Sequence, residues 1–141
     1  MNINTWKSIG AFFAGLLATV ALSIGTDAVL HAASIFPAIG QPMSDSLFAL
    51  ATIYRTSYSI FGAYLTARLA PTNPLKHALI LGAVGTVLAL IGLLATWNKG
   101  PEFGPKWYPI ALVLLAIPQC WLGGKLRVMQ LHSPAAAKSL T

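Results

Sequence analysis

The sequence contains few charged residues. Of its 141 residues, 9% are Asp, Glu, Lys or Arg, 56% are hydrophobic, and the mean hydropathy is +0.70. Because about a quarter of the residues of a soluble domain are charged, this composition cannot cover a water-soluble surface. Intrinsic disorder, which requires low hydrophobicity, is excluded as well. The composition and length predict one small transmembrane domain over residues 1-141.

Cysteine is almost absent, and histidine is scattered. Cys120 is the single cysteine, which excludes an internal disulfide and a thiol oxidant that relays one. His31 is predicted at the opposite membrane face from His77 and His132, so no two histidines share the depth that a bis-histidine haem requires. We expect no metal and no cofactor. Small four-span enzymes that conjugate glutathione need embedded basic groups, and here only Arg55 qualifies, so an enzyme is not expected.

Long charge-poor stretches alternate with short connectors rich in proline, glycine and charge. Each stretch is close to the 20 residues that cross a 30 Å hydrocarbon core. Ser44 or Asp45 and the pair Asn73-Pro74 are typical helix starts. The sequence therefore predicts an all-α bundle of four transmembrane helices, with spans at approximately 8-33, 46-68, 75-98 and 107-125.

A cleaved signal peptide is the alternative for the first span. Lys7 precedes an apolar run and small residues follow it, as they do in such peptides. The run is longer than usual, and Asp27 interrupts it before any cleavage site. We therefore expect the first stretch to remain a span.

Lysine and arginine are unevenly divided between the two predicted membrane faces. Lys99 and Lys106 lie on one face; the other carries Lys7, Arg68, Lys76, Lys125, Arg127 and Lys138. By the positive-inside rule both termini are predicted cytoplasmic, in a plasma membrane, with anionic lipids as partners at the cytoplasmic face. The bases are too dispersed for nucleic-acid binding. Aromatic interface anchors are predicted at Trp6, Trp97, Trp107, Tyr108 and Trp121.

Two charged residues fall inside predicted spans, where ionisable groups are expensive and often functional. Counting the helical rise places Asp27 and Arg55 within reach of each other, and a bidentate ion pair is predicted. His31 and Tyr58 share their helix faces and complete a cluster. One interpretation is an outward-facing site for a proton or an anion; the other is an ion pair that holds two helices together.

Two further features concern helix packing. Pro118 and Gln119 interrupt the fourth span and predict either a kink or a cavity wall. Small residues on the first and third spans predict close packing, within the chain or between copies: Gly10, Ala14, Ala18, Gly82, Gly85 and Gly92.

With these features in view, the chain resembles small four-span bacterial membrane proteins to which no activity is assigned. The features are Gly25-Thr26-Asp27, His31, Tyr54-Arg55, Trp107-Tyr108-Pro109 and the run from Pro118 to Lys125. The resemblance implies a bacterial plasma-membrane location, and nothing about activity is carried over from it. We expect a non-enzymatic accessory or assembly subunit that packs against itself or a larger membrane complex. A small transporter or channel is the alternative.

Overall fold

The computed structural model describes residues 2–139, and these residues form helices and loops without any strand. The helices are α1 (Ile3–Ala32), α2 (Asp45–Leu69), α3 (Pro74–Thr96), α4 (Trp107–Leu131) and the short α5 (Pro134–Lys138). A single 3₁₀ turn, Pro101–Phe103, lies between α3 and α4. The prediction of an all-α fold with four long helices is confirmed.

Three segments are long and apolar enough to cross a membrane: Ile3–Ala32, Pro74–Thr96 and Pro101–Leu131. Helix α2 is 25 residues long but more polar, since it carries Arg55 in its middle. The first helix begins before the predicted span, and α4 continues past 125 to Leu131. Lysine and arginine are good helix formers, so Lys125 and Arg127 mark a possible membrane edge without ending the helix.

The helix ends follow local rules. The Asn2 side chain accepts a hydrogen bond from the Thr5 amide at 3.0 Å and caps α1. Asn73 adopts a left-handed conformation with φ of 44° directly before Pro74, the first residue of α3. Helix α4 runs without a break through Pro118, which lies on its exposed side.

Helices α1 and α2 cross where glycine faces glycine. A Cβ added to Gly15 would lie closer than 3.0 Å to Thr66 Oγ1 and to the Gly62 carbonyl oxygen. A Cβ on Gly62 would likewise lie closer than 3.0 Å to Thr19 Oγ1 and 2.6 Å from the Gly15 carbonyl oxygen. Each glycine thus receives a threonine of the other helix, and the backbones approach as they do in small-residue transmembrane contacts. We call this contact the α1–α2 seam.

Glycines allow α4 to pack closely against both α2 and α3. A Cβ on Gly123 would lie 2.8 Å from Ala63 Cβ of α2. A Cβ on Gly82 of α3 would lie 3.0 Å from Cys120 Cβ of α4. The buried core around these contacts consists of small side chains and one leucine: Ala63, Ala67, Ala78, Leu81 and Cys120.

Not every predicted packing glycine is used within the chain. Gly82 lies in a helix contact, whereas a Cβ added to Gly10, Gly85 or Gly92 would meet nothing within 4 Å. The sequence identifies which helices contain small residues. Whether a given small residue faces a neighbouring helix depends on the helix crossing angles.

The two ends of the bundle differ in charge. One end, here the mixed end, carries the three acids and three bases: Asp27, Asp45, Glu102, Arg55, Lys99 and Lys106. The other, here the basic end, carries the remaining six bases and no acid: Lys7, Arg68, Lys76, Lys125, Arg127 and Lys138.

Candidate functional site

A polar cluster joins α1 to α2 near the mixed end. Asp27 lies one turn before the end of α1, and Tyr54 and Arg55 lie in the first half of α2. Arg55 Nη2 donates a hydrogen bond to Asp27 Oδ2, and the Tyr54 hydroxyl donates to Asp27 Oδ1. The Arg55 and Asp27 side chains are 34% and 26% exposed, so water screens the pair only in part. Both carboxylate oxygens are therefore occupied by α2.

The cluster differs from its sequence prediction in two respects. The Arg55–Asp27 pair is not bidentate, because Tyr54 occupies the second carboxylate oxygen. Tyr58 does not bind the ion pair; its hydroxyl lies 2.7 Å from Thr26 Oγ1, and its ring packs 5.9 Å from that of Tyr54. Helical spacing from Arg55 predicted that Tyr58 joins the cluster. The long side chain of Tyr54, one residue before Arg55, reaches the Asp27 carboxylate instead.

His31 lies one turn beyond Asp27 and holds the connector that follows α1. Its Nδ1 is 2.8 Å from the Pro37 carbonyl oxygen, and its ring packs edge-on against Phe36 with centroids 5.4 Å apart. Because the carbonyl can only accept, Nδ1 carries the proton of this bond. His31 is therefore half-buried between helix and loop rather than standing free in solvent.

A cavity of about 230 Å³ opens beside the cluster at the mixed end. Its polar lining comprises Asp27, His31, Gln41, Tyr54, Arg55, Glu102 and Tyr108. Two carboxylates thus face one guanidinium, and that guanidinium is already paired with Asp27. Such a lining favours a proton, a cation or a neutral polar molecule over the anion expected from Arg55 alone.

A second cavity of about 420 Å³, the lateral cleft, is lined by residues of all four long helices. Arg55 lines it together with Ser23, Ser59 and Gln119, and most of the remaining wall is aliphatic. Gln119 is thus a cavity wall residue, as one of its two sequence interpretations had it, while Pro118 does not line the cleft. Arg55 is common to the linings of both cavities.

The predicted aromatic anchors divide into two groups. Trp6, Trp97, Trp107 and Trp121 are exposed. Lys106 Nζ lies 4.5 Å from the ring centre of Trp97, and Trp107 Nε1 donates to Asp45 Oδ2 at 3.3 Å. Tyr108 is different: its ring packs 4.9 Å from that of Phe48 and contributes to the cavity wall.

Comparisons with other proteins add no identity to this geometry. No protein-family model, no curated protein and no solved structure matches the chain. Within residues 2–139, no three His, Cys, Asp or Glu side chains are grouped as ligands of a metal ion. The inference of function depends on the site and on the distribution of charge.

Proposed function

We propose that the chain is a non-enzymatic four-span membrane protein that acts as an accessory or assembly subunit, in which the Asp27–Arg55–Tyr54 cluster fixes α1 against α2. The observation that carries this proposal is the occupancy of Asp27. Both carboxylate oxygens accept hydrogen bonds from α2, and the charge of Arg55 is opposed by its direct partner. A carboxylate whose two oxygens are each hydrogen-bonded to the neighbouring helix ties α1 to α2, which supports a structural role.

The proposal includes α2 as the fourth span. The chain enters and leaves α2 at opposite ends of the bundle, and α2 packs against all three apolar helices. Its central charge is acceptable in a bilayer because Asp27 pairs with it and because long arginine side chains reach toward the interface. With six bases at the basic end, the positive-inside rule places that end and both termini in the cytoplasm, which favours the plasma membrane.

A partner or a second copy is expected on the outer faces of the bundle. The interior is thin and made of small residues, while large aliphatic side chains remain exposed on α1 and α3. Either lipid or protein can cover such faces, so the test is to determine which of them co-purifies with the chain. Gentle extraction followed by mass spectrometry should recover a stoichiometric protein partner or a homo-oligomer; a lipid-only monomer would contradict the accessory role.

The structural role of the cluster is tested by a double-mutant cycle in the purified protein. Asp27→Asn and Arg55→Gln should each lower the free energy of unfolding in detergent, because each leaves a partly buried charge without its partner. The double change should recover part of the loss, with a coupling of about 1–3 kcal/mol. Asp45→Asn, which alters an acid whose one hydrogen bond, from Trp107, is 3.3 Å long, is the control and should be nearly neutral.

A small transporter or channel is the second candidate. The observation that favours it is that Arg55 lines both the polar cavity and the lateral cleft, so one charged side chain borders both spaces. Asp27, His31 and Arg55 would then form the binding site for a proton or a small ion. Tyr58, on the α1–α2 side, would support Tyr54 rather than bind the ion.

The same variants separate the two candidates. If Asp27→Asn and Arg55→Gln fold with unchanged stability but abolish proton or ion flux in reconstituted vesicles, the transporter interpretation holds and the structural role fails. The accessory interpretation holds if the single variants are destabilised, the double variant regains stability, and the wild-type protein shows no proton or ion flux in vesicles.

A further inference from the structure

The net charge of the protein resides at one end of the bundle. At the mixed end three acids and three bases cancel, so the whole formal charge of +6 belongs to the six bases of the basic end. Among residues 2–139 the one ion pair is Arg55–Asp27 at the mixed end, so Lys76 has no carboxylate partner within ion-pair distance. Lys76 is therefore available to pair with an anion from outside the described residues.

A groove between α3 and α4 opens at this same end. It has a volume of about 780 Å³, the largest of the cavities described above. Its wall is aliphatic, with Leu79 and Ala83 from α3 and Val128 and Leu131 from α4; Lys76 and His132 stand at its polar end. The groove is thus apolar along its length and basic at its mouth. This lining is complementary to an amphiphile with an anionic head group.

The groups at the mouth can act together on a phosphate. Lys76 is exposed and offers three donors without an acidic competitor. His132 Nδ1 lies 2.8 Å from the Val128 carbonyl oxygen, which fixes the ring while Nε2 carries no hydrogen bond within residues 2–139. His132 thus adds a second polar side chain to the groove that Lys76 lines.

Charge also argues against other occupants. A second copy seated in this groove in the same membrane orientation would bring its own basic end against Lys76, and like charges at that contact oppose binding there. A free inorganic anion would use the mouth but leave the apolar wall empty. An acyl chain fills that wall, and a phosphate diester supplies the missing charge.

We propose that this groove binds one anionic phospholipid, with its phosphate at Lys76 and His132 and an acyl chain along Leu79, Ala83 and Val128. Basic pockets between transmembrane helices on the cytoplasmic side recognise anionic lipid headgroups in this way. The inference rests on the proposed placement of the chain in a membrane, and it adds a defined lipid site to it.

The test is native mass spectrometry of the full chain in detergent, titrated with phosphatidylglycerol or with phosphatidylcholine of identical acyl chains. One phosphatidylglycerol should bind more tightly than phosphatidylcholine. Lys76→Gln should weaken phosphatidylglycerol binding about fivefold, as expected for one lysine at a membrane surface. Lys99→Gln removes the same charge at the mixed end and should leave the binding unchanged.

A second pair of variants tests the apolar wall. Ala83→Leu adds a side chain in the groove and should weaken binding of the lipid, whereas Ala95→Leu makes the same change in α3 away from it. Equal losses for Lys76→Gln and Lys99→Gln, or no loss for Ala83→Leu, would overturn the site. A dimer that phosphatidylglycerol does not displace would identify the groove as a protein interface.

Failure of the lipid site is distinguishable from failure of the membrane proposal. A chain that floats with vesicles of either lipid but shows no preference lacks the site and keeps its membrane placement. A chain that does not float with vesicles of either composition overturns both.

Discussion

Helix α1 has two sides that are built differently. Toward α2 it forms the α1–α2 seam, where Gly15 and Gly62 bring the two backbones together. Toward α3 and α4 it leaves the lateral cleft of about 420 Å³, although Gly85 and Ala89 of α3 line that space. Small residues are present on both sides, but only one side is closed.

The difference shows what closes a helix contact in an apolar medium. Lipid chains solvate aliphatic side chains as well as protein does. Moving Leu and Val from lipid into a contact between α1 and α3 therefore stabilises that contact little. The α1–α2 seam adds reciprocal glycine–threonine packing, the Thr26–Tyr58 hydrogen bond and the Asp27 cluster. Among the described residues, the α1–α3 side has one interhelical hydrogen bond, between Ser8 Oγ and His77 Nε2 at 3.0 Å, but no glycine–threonine packing. Interlocking shape combined with several polar bonds therefore distinguishes the closed side.

The largest expected effect breaks the closed side. Gly15→Ala adds a Cβ that overlaps Thr66 and the Gly62 carbonyl oxygen, and a backbone atom cannot move aside cheaply. We expect a loss of about 3 kcal/mol in the free energy of unfolding, at the upper end for overpacking. SDS titration of the purified protein measures it. Gly10→Ala on the same helix meets nothing within 4 Å and should be neutral or stabilising. Equal effects at both positions would refute the seam.

A smaller effect compares the contact of α4 with the open cleft. Gly123→Ala places a Cβ closer than 3.0 Å to the Ile60 carbonyl oxygen, to Ala63 Cβ and to the Tyr64 amide nitrogen, so the free energy of unfolding should fall by about 1–3 kcal/mol. Gly85→Ala points into free space beside the cleft and should raise stability by up to about 1 kcal/mol through helix propensity. We therefore expect the two variants to change the free energy of unfolding in opposite directions. A loss of stability for Gly85→Ala would mean that the lateral cleft is closed in the membrane.

The smallest effect concerns a single hydrogen bond of the α1–α2 seam. Tyr58→Phe removes the hydroxyl that lies 2.7 Å from Thr26 Oγ1 and should cost about 0.6 kcal/mol, the average for such bonds between transmembrane helices. Tyr64→Phe removes an exposed hydroxyl bonded to Gln130 at 2.8 Å and serves as the control. A loss for Tyr64→Phe as large as that for Tyr58→Phe would show that the seam gives its hydrogen bond no advantage.

Most of the fold could be predicted from where charge and proline lie. Asn73-Pro74 set the start of α3, and the charge-poor stretches outlined the four long helices. The end of α4 could not be predicted in this way, because Lys125 and Arg127 favour a helix and it continues to Leu131. Which glycines pack was also beyond reach, since Gly15 and Gly10 differ only in the direction that the helix crossing gives them.

The site was predictable as a pair but not as a cluster. Low charge made Asp27 and Arg55 conspicuous, and helical rise placed them within reach. Tyr54 was missed because a helical-wheel argument ranks residues by their angle from Arg55, whereas the observed bond depends on the length of a phenol that crosses to α1. The cavity depends on the connector between α1 and α2, whose path the sequence does not specify. The hydrogen bond from His31 Nδ1 to the Pro37 carbonyl oxygen is therefore visible only in three dimensions.

The order of Asp27 and Arg55 along the chain has a consequence for biogenesis. Helix α1, apolar enough to enter the bilayer on its own, is synthesised before α2, which carries the embedded arginine. A lone arginine at the centre of a helix opposes insertion by about 2.5–3.5 kcal/mol. Asp27 precedes Arg55 by 28 residues, so it leaves the ribosome first. Under the proposed four-span topology, Asp27 can then neutralise Arg55 as α1 and α2 insert as a hairpin.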